Sequence, residues 1–301
     1  NTVAKRKPTN IELFDLSQSN SEHSRHWFFN ANIYIDDVKQ EDSLFSLIKK
    51  PLKENNTDSL VAFSDNSSVI KGGKIKYMGV YDGIYQTVEE EFNPLLTVET
   101  HNFPTGIAPF EGATTGVGGR LRDVYATGRG GLMIAGIAGY AVGNLLLPDY
   151  QLNKETEYDS NQIPGWKILI EASNGASDYG NKIGEPLILG FTRNYGNNVF
   201  FCRGRKIERY RYEWFKPIML SGGIGMVNTR HLYKEKVEKD MLIIRAGGSA
   251  FRLGLGGGSA SSVNQDENKN LDNAVQRGNA EMENRLYKFV RTMIERLDKN
   301  P

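Results

Sequence analysis

The densest run of chemically capable residues lies between Val98 and Asp123. It reads Val-Glu-Thr-His-Asn-Phe-Pro-Thr-Gly, and then Gly112-Ala113-Thr114-Thr115-Gly116-Val117-Gly118-Gly119-Arg120-Leu121-Arg122-Asp123. Read as a glycine-rich turn feeding a helix that begins near Gly119, the segment leaves backbone N–H groups pointing outward, where they can cradle phosphates. Missing side chains at Gly116, Gly118 and Gly119 let phosphate oxygens come close. Glu99 and Asp123 stand on either side of that turn and can hold a Mg²⁺ that bridges phosphate oxygens, the hard ligation this ion prefers. Arg120 and Arg122 add positive charge. The Gly-Lys-Ser/Thr signature of a P-loop is absent. Such glycines also suit tight turns and close packing; His101 and the flanking carboxylates tip the balance toward a nucleotide site.

A second constellation is Ser21-Glu22-His23-Ser24-Arg25-His26. Two histidines three apart on a helix end share roughly one face, and can act as general acid and base or hold an anionic intermediate. A helix C-terminus that gathers cations against its dipole gives the same pattern. The third is Ser173-Asn174-Gly175 with Asp178-Tyr179-Gly180-Asn181-Lys182, a polar turn for a ribose or phosphate, or a plain Asx-type loop. Arg203, Arg205, Lys206, Arg209 and Arg211 alternate with Tyr210 and Tyr212 in the manner of a nucleic-acid patch; a solvated hairpin is the better reading. Cys202 reads as a small apolar filler, and His231 as a surface helix residue.

The elements that must carry these residues follow from periodicity. A helix is expected over Pro8 to Asn30 and another over Leu44 to Ile48, cut by Pro51, with a polar loop over residues 53–59. Leu95 to Thr100 and Ile134 to Val142 read as strands. A polar loop from Asp149 to Pro164 precedes a strand at Trp166 to Glu171. A composition shift near Lys216-Pro217 suggests a domain boundary at residue 217. Short strands are then expected at Ile218 to Leu220, ending at Gly222-Gly223, and at Met241 to Ala246. Met282, Leu286, Phe289, Val290, Met293, Ile294 and Leu297 fall on one stripe of a final helix. Strands alternating with helices indicate a mixed α/β (α+β) architecture.

Composition narrows the function classes. The chain has 301 residues, of which 39% are hydrophobic and 24% charged, as in ordinary globular proteins. With 37 basic and 36 acidic side chains the formal net charge is +1, which argues for neither nucleic acid nor an anionic membrane as partner. A single cysteine rules out an intrachain disulfide. The histidines have no zinc-site spacing, and no apolar run approaches the ~20 residues that span a bilayer. There is no signal-peptide pattern, and the chain does not start with methionine, so a cytoplasmic piece of something longer is expected. The triplets at Asn55 and Asn66 match glycosylation acceptors by chance.

The hexapeptide Ser21–His26, the segments Glu99–Gly106 and Gly112–Asp123, Glu171–Lys182, Ser221–Gly225, Gly254–Gly258, Ala274–Gly278 and Glu281-Met282-Glu283 together resemble the phosphoribosylformylglycinamidine synthase family, in its single-chain form. The resemblance runs in order over nearly the whole chain. Bacterial members commonly carry cysteine where this chain has Ser24, so a thiol role there is not expected.

The resemblance implies an ATP-dependent ligase of purine biosynthesis. It would convert formylglycinamide ribonucleotide to the amidine through an iminophosphate, with Mg²⁺ and ATP, using ammonia released from glutamine in a separate glutaminase domain. It implies that His23 is the catalytic histidine, His101 an active-site contact, and Glu99 and Asp123 magnesium ligands. Gly112 to Asp123 would line the nucleotide, with Leu189, Gly190 and Phe191 as a further contact. The implied fold is that of the aminoimidazole ribonucleotide synthetase-like superfamily: the end of a linker (residues 1–26), an A-type nucleotide-binding unit (27–217) and the start of a B-type unit (218–301). The glutaminase domain and the second half of the core are missing, so the piece alone is expected to be inactive. The alternatives are a structural nucleotide-binding half and a related synthetase of the superfamily; the hexapeptide with His23 speaks against both.

Overall fold

The computed structural model describes residues 6–19, 26–55, 58–81, 83–145, 147, 149, 163–247 and 275–295. The chain divides into two compact units, Asn1–Ser59 with Phe251–Val275, and Leu60–Ala250 with Gln276–Pro301. His23 with the rest of Ser21–Arg25, the Gly254–Gly258 cluster, Leu297 and most of the expected loop before Pro164 lie outside the described residues.

The first unit holds helices α1 (Asn10–Ser19) and α2 (His26–Phe29), the antiparallel pair β1 (Tyr34–Ile35) and β2 (Val38–Lys39), and helix α3 (Leu44–Asn55). Thr9 and Glu12 cap α1 reciprocally: the Glu12 N–H donates to Thr9 Oγ1 at 3.2 Å, and the Thr9 N–H donates to the Glu12 carboxylate at 2.8 Å. Helix α3 does not stop at Pro51 but continues through it to Asn55. Proline loses its own N–H bond and crowds the carbonyl four residues back, but the residues beyond it can still bond back along the helix.

The second unit is built on a seven-stranded sheet in the order β3-β4-β6-β11-β7-β8, with β5 also paired to β6. Its strands are β3 (Ser59–Val61), β4 (Ser68–Ile70), β5 (Gly73–Tyr81), β6 (Ile84–Thr100), β7 (Leu132–Val142), β8 (Leu187–Asn194) and β11 (Ile218–Asn228). β9 (Gly196–Arg203) and β10 (Lys206–Glu213) form a separate antiparallel hairpin, turning at Gly204 with φ +64. This is the hairpin expected of the Arg/Tyr-rich stretch, and Cys202 on it is exposed rather than buried as filler. β7 and β8 run parallel, so a crossover must join them. Helix α6 (Gly165–Ile183) supplies it.

Four expectations change here. Trp166 to Glu171 is not a strand, and Ala172 to Gly180 is not a turn, because both belong to α6. Ile168, Ala172, Ala176, Tyr179 and Ile183 are buried along one face of that helix, a stripe that a six-residue window reads wrongly as β. β11 does not end at Gly222-Gly223 but runs through to Asn228, hydrogen-bonded to β6 on one side and β7 on the other. The sheet is therefore continuous across residue 217. Met241 to Ala246 carries no strand.

Helices α4 (Asn102–Ile107), α5 (Pro109–Tyr125), α6 and α7 (Ala280–Glu295) accompany the sheet. The core joins Val117 and Leu121 of α5, Ala172, Ala176 and Tyr179 of α6, Tyr140 of β7 and Met219 of β11. Burial raises the Tyr140 hydroxyl to about 12, and it donates to the Ala172 carbonyl at 3.3 Å. On the other side of the central strands Leu96, Val98, Ile224, Leu189 and Phe191 are exposed.

At the centre, Arg120 of α5 meets Glu185, both side chains being at most 1% exposed. Nη1 donates to Oε1 at 2.5 Å, Nη2 donates to Oε2, and Nε reaches Ser221 Oγ at 3.4 Å. Glu185 is delivered there by the cap of α6: Gly184 takes φ +89, and the Gly184 and Glu185 N–H groups both donate to the Gly180 carbonyl. A Cβ on Gly136 or Gly223 would lie 2.6 and 2.5 Å from the Arg120 guanidinium, so the central strands need glycine at these two positions. Breaking a buried pair on one side strands a charge, which costs about 3–5 kcal/mol. Urea unfolding of Glu185→Ala is expected to show a loss of that order, whereas Arg120→Met with Glu185→Leu together should recover most of it.

Candidate nucleotide site

The glycine-rich segment is not a turn that feeds a helix. Gly112, Gly116, Gly118 and Gly119 all lie inside α5, which starts ten residues earlier than expected, at Pro109. Glycine in a helix costs ~0.5–1 kcal/mol relative to alanine, and close packing explains most of these. A Cβ at Gly112 would sit 2.4 Å from the Thr105 backbone nitrogen of α4. One at Gly116 would sit 2.9 Å from both His101 Cβ and Met219 Sδ, and one at Gly118 would sit 2.7 Å from the Tyr179 hydroxyl. Gly119 differs, with Arg122 Nη2 at 3.6 Å and Glu99 Cγ at 4.0 Å from its Cβ position. Ala113, Val117, Arg120 and Leu121 are fully buried, and Thr114 and Thr115 nearly so. The Thr114 hydroxyl donates to the Glu111 carbonyl and that of Thr115 to the Gln276 carbonyl, each at 2.7 Å. What α5 offers to a ligand is therefore one face, Gly119, Arg122 and Asp123.

β6 delivers Glu99 to that face. Leu96 and Val98 point to the exposed side of the sheet, and Glu99, across from Ser221, points to the helix side. Asp123 is one helical turn beyond Gly119, so the two share a face of α5. Asn66 Nδ2 donates to Asp123 Oδ1 at 3.1 Å. The Asn66 loop is held by Asp65, whose Oδ2 accepts from the Gly128 N–H at 3.0 Å and which pairs with Lys234. Burial opposes the Asp65 charge, but Lys234 and the N–H groups of Asn66 and Gly128 outweigh it and hold its pKa low. Phe63 in the same loop takes φ +58, a conformation that costs a bulky side chain free energy and that recurs at functional sites.

His101 sits between β6 and α4, its backbone N–H donating to the Met219 carbonyl at 2.9 Å. Its Nδ1 lies 2.6 Å from the Gly112 carbonyl. A carbonyl only accepts, so Nδ1 carries the proton of this bond. His101, Glu99 and the open face of α5 are thus gathered at the end of β6. Leu189 and Phe191 are not: they pair in register with Ile137 and Gly139 on the exposed side of the sheet, away from α5. Ser173, Asn174 and Asp178 are spaced along α6 rather than grouped in a turn. His231, expected on a surface helix, is 3% exposed in a 3₁₀ turn, and its carbonyl accepts from the Arg129 N–H at 2.9 Å.

Among the described residues no group of three or more His, Cys, Asp or Glu side chains gathers to hold an ion alone. Two hard carboxylates suit Mg²⁺ if phosphate oxygens and water complete its shell, which is how this ion usually binds.

No protein-family model matches the chain. It is 55% identical over 300 residues to phosphoribosylformylglycinamidine synthase of Dictyostelium discoideum, a match that covers 97% of this chain. It is 45% identical over 306 residues to the human enzyme of that name, covering 98% of this chain. The chain is a homologue of one segment of the phosphoribosylformylglycinamidine synthases. It spans 22% of the length of each of these two relatives. Among solved structures, that of T. maritima PurL complexed with FGAR aligns over 97% of this chain and 36% of its own, at 21% identity and a TM-score of 0.55. PurL complexed with ADP aligns over 98% and 34%, at 19% identity and a TM-score of 0.50. These two likenesses concern the fold, and the fold is the mixed α/β class expected.

Two residues beside the candidate site have no role that can be read from the sequence. Asn66 matched only a chance glycosylation triplet, 57 residues from Asp123. Glu283 fell in a motif with no assignable role, 161 residues from the Arg122 it binds. The two kinds of glycine in α5 should separate on substitution. Thermal unfolding of Gly119→Ala is expected to show a gain of up to ~1 kcal/mol from helix propensity, whereas Gly112→Ala should lose about 1–3 kcal/mol through overpacking.

Proposed function

We propose that this chain is a catalytic segment of a phosphoribosylformylglycinamidine synthase, and that the open face of α5 with Glu99 holds the phosphates of ATP. The observation that carries the reading is the meeting of Glu99 and Arg122 over Gly119, one turn before Asp123. It puts Arg122 and Glu99 beside the one glycine of Gly112–Gly119 whose Cβ position meets nothing closer than ordinary contact among the described residues, with Asp123 one turn further along α5. The identity to the named synthases over nearly the whole chain supports the same reaction.

The chemistry proposed for the whole enzyme takes two displacements. The amide oxygen of formylglycinamide ribonucleotide attacks the γ-phosphorus of ATP, the bond to ADP breaks, and an iminophosphate forms. Ammonia released from glutamine by a glutaminase domain then adds to the imidate carbon, and phosphate leaves with the former amide oxygen to give the amidine. Such a transfer is driven by positioning and by stabilising charge as it moves. Glu99 and Asp123 would hold Mg²⁺, which supplies charge neutralisation between phosphate oxygens when bound. Arg122 would stabilise a phosphate oxygen over Gly119. His101 Nε2 would accept or relay a proton, and His23, from the hexapeptide, would serve at the phosphorylated intermediate. The buried remainder of Gly112–Asp123 would act by holding the face in place, with Leu189–Phe191 a contact to another part of the enzyme. In this reading the A-type unit includes β11, the B-type unit opens beyond it, and the exposed face of the sheet is covered by a part of the enzyme outside this chain. The setting proposed is the cytoplasm.

The test is ADP formation by the full-length protein with formylglycinamide ribonucleotide, Mg-ATP and ammonium. Turnover is expected to require the ribonucleotide, and His23→Ala should lower kcat by about 10²–10⁴-fold if the imidazole moves a proton. Asp123→Asn should raise the Mg²⁺ needed for half-maximal rate by about tenfold or more. ATP consumption that ignores the ribonucleotide would overturn the assignment. Full activity in the His23 variant would remove only that residue's role.

A further inference from the structure

Arg122 is the half-exposed cation of the open α5 face, and its other end is tied down. Nη1 donates to Glu283 Oε2 at 2.7 Å, with the Glu283 side chain 7% exposed and that of Arg122 41% exposed. The Tyr179 hydroxyl donates to the same carboxylate oxygen. Burial pushes the Glu283 carboxyl up against the pull of Arg122 and Tyr179, so this is a costly place for a carboxylate.

The surroundings are shaped for this contact. A Cβ on Gly118 would lie 2.7 Å from the Tyr179 hydroxyl and 3.2 Å from Arg122 Nη1, so only glycine lets the three groups meet beside α5. A Cβ on Gly278 would lie 2.8 Å from the Tyr179 ring. The guanidinium fork is planar and rigid. With Nη1 fixed, Nη2 is therefore fixed as well, and it lies over Gly119 beside Glu99.

Helix α7 does not depend on Glu283 alone for its docking. That helix is already held by Asn284 Nδ2 donating to the Ile183 carbonyl at 2.6 Å and Arg291 Nη1 donating to the Gly130 carbonyl at 2.9 Å. The Met133 N–H donates to the Tyr287 hydroxyl at 3.3 Å as a further tie.

We infer that Glu283, assisted by Tyr179, is a positioning residue for the nucleotide face: it orients Arg122 so that Nη2 is presented over Gly119 to an anionic oxygen of the nucleotide. This rests on the nucleotide reading of α5. An arginine already held in its binding geometry loses less rotamer freedom when the ligand arrives.

The experiment compares Arg122→Ala, Glu283→Gln and the double variant in the full-length protein, recording KM for Mg-ATP, kcat and the melting temperature. Each single variant is expected to raise KM about tenfold, the weight of one charge-assisted contact, with kcat changed far less. The double variant should be no worse than Arg122→Ala, because both changes remove one interaction. An unchanged KM in Glu283→Gln beside a raised one in Arg122→Ala overturns the inference and leaves the nucleotide reading standing. So do effects that simply multiply in the double variant. An unchanged KM in Arg122→Ala sinks the nucleotide reading of this face, and the inference with it. If Glu283→Gln does not fold, Tyr179→Phe replaces it. About a threefold rise in KM is then expected, and no rise overturns the inference.

Discussion

Arg120 and Glu185 form an ion pair that water does not reach, and the neighbouring elements are arranged to permit it. A pair taken out of water gains little unless its geometry is good and its remaining groups are bonded. Here the guanidinium meets the carboxylate with two bonds and turns Nε toward Ser221. Glycines at 136 and 223 empty the space above it, and the left-handed cap at Gly184 turns the chain so that Glu185 enters the core. One contact thereby ties α5, the end of α6, and the strands β7 and β11. The stretch of α5 that carries Arg122 and Asp123 is held in place because Arg120, in the same turns of the helix, is locked in the core.

Helix α5 carries two uses of glycine within one segment. Gly112, Gly116 and Gly118 let α4, His101 with Met219, and Tyr179 approach the helix axis, whereas at Gly119 a Cβ would meet only Arg122 and Glu99 among the described residues, at ordinary contact distance. The packed glycines set how close the neighbours come, and that closeness sets where His101 and Tyr179 stand. Arg122 and Arg120, two apart in sequence, end on different sides of the helix and in opposite environments. One is half-open beside a buried carboxylate and the other is sealed in the core.

The same division appears across the sheet. Its helix side is filled by Val117, Leu121, Tyr179 and Met219, and Glu99 rises from that side at the very end of β6. The other side shows Leu96, Val98, Ile224, Leu189 and Phe191, a set of apolar side chains of the kind that marks an interaction surface. Strand alternation links the two: whatever register places Glu99 beside α5 also places Val98 on the open side.

The sequence by itself determined the class of protein, the mixed α/β alternation, the strands at β6 and β7, the start of α1, the final helix and the hairpin after Gly196. These rest on periodicity and capping, which are local. It also singled out Glu99, His101, Arg122 and Asp123, because residue types and a long motif survive without coordinates. Only the tertiary structure decided what the glycines do. Read locally, Gly112 to Gly119 and Gly222-Gly223 are breakers, since glycine lowers the propensity of any element. In the fold they sit within α5 and β11, because the close packing that a missing Cβ permits outweighs that loss. The same holds for α6, where a short apolar run from Trp166 reads as a strand and only burial over nineteen residues shows the helix. The roles of Asn66, Glu185 and Glu283 could not be read in advance. Each depends on a partner 57 to 161 residues away, and side-chain chemistry at that separation is set by the path of the whole chain.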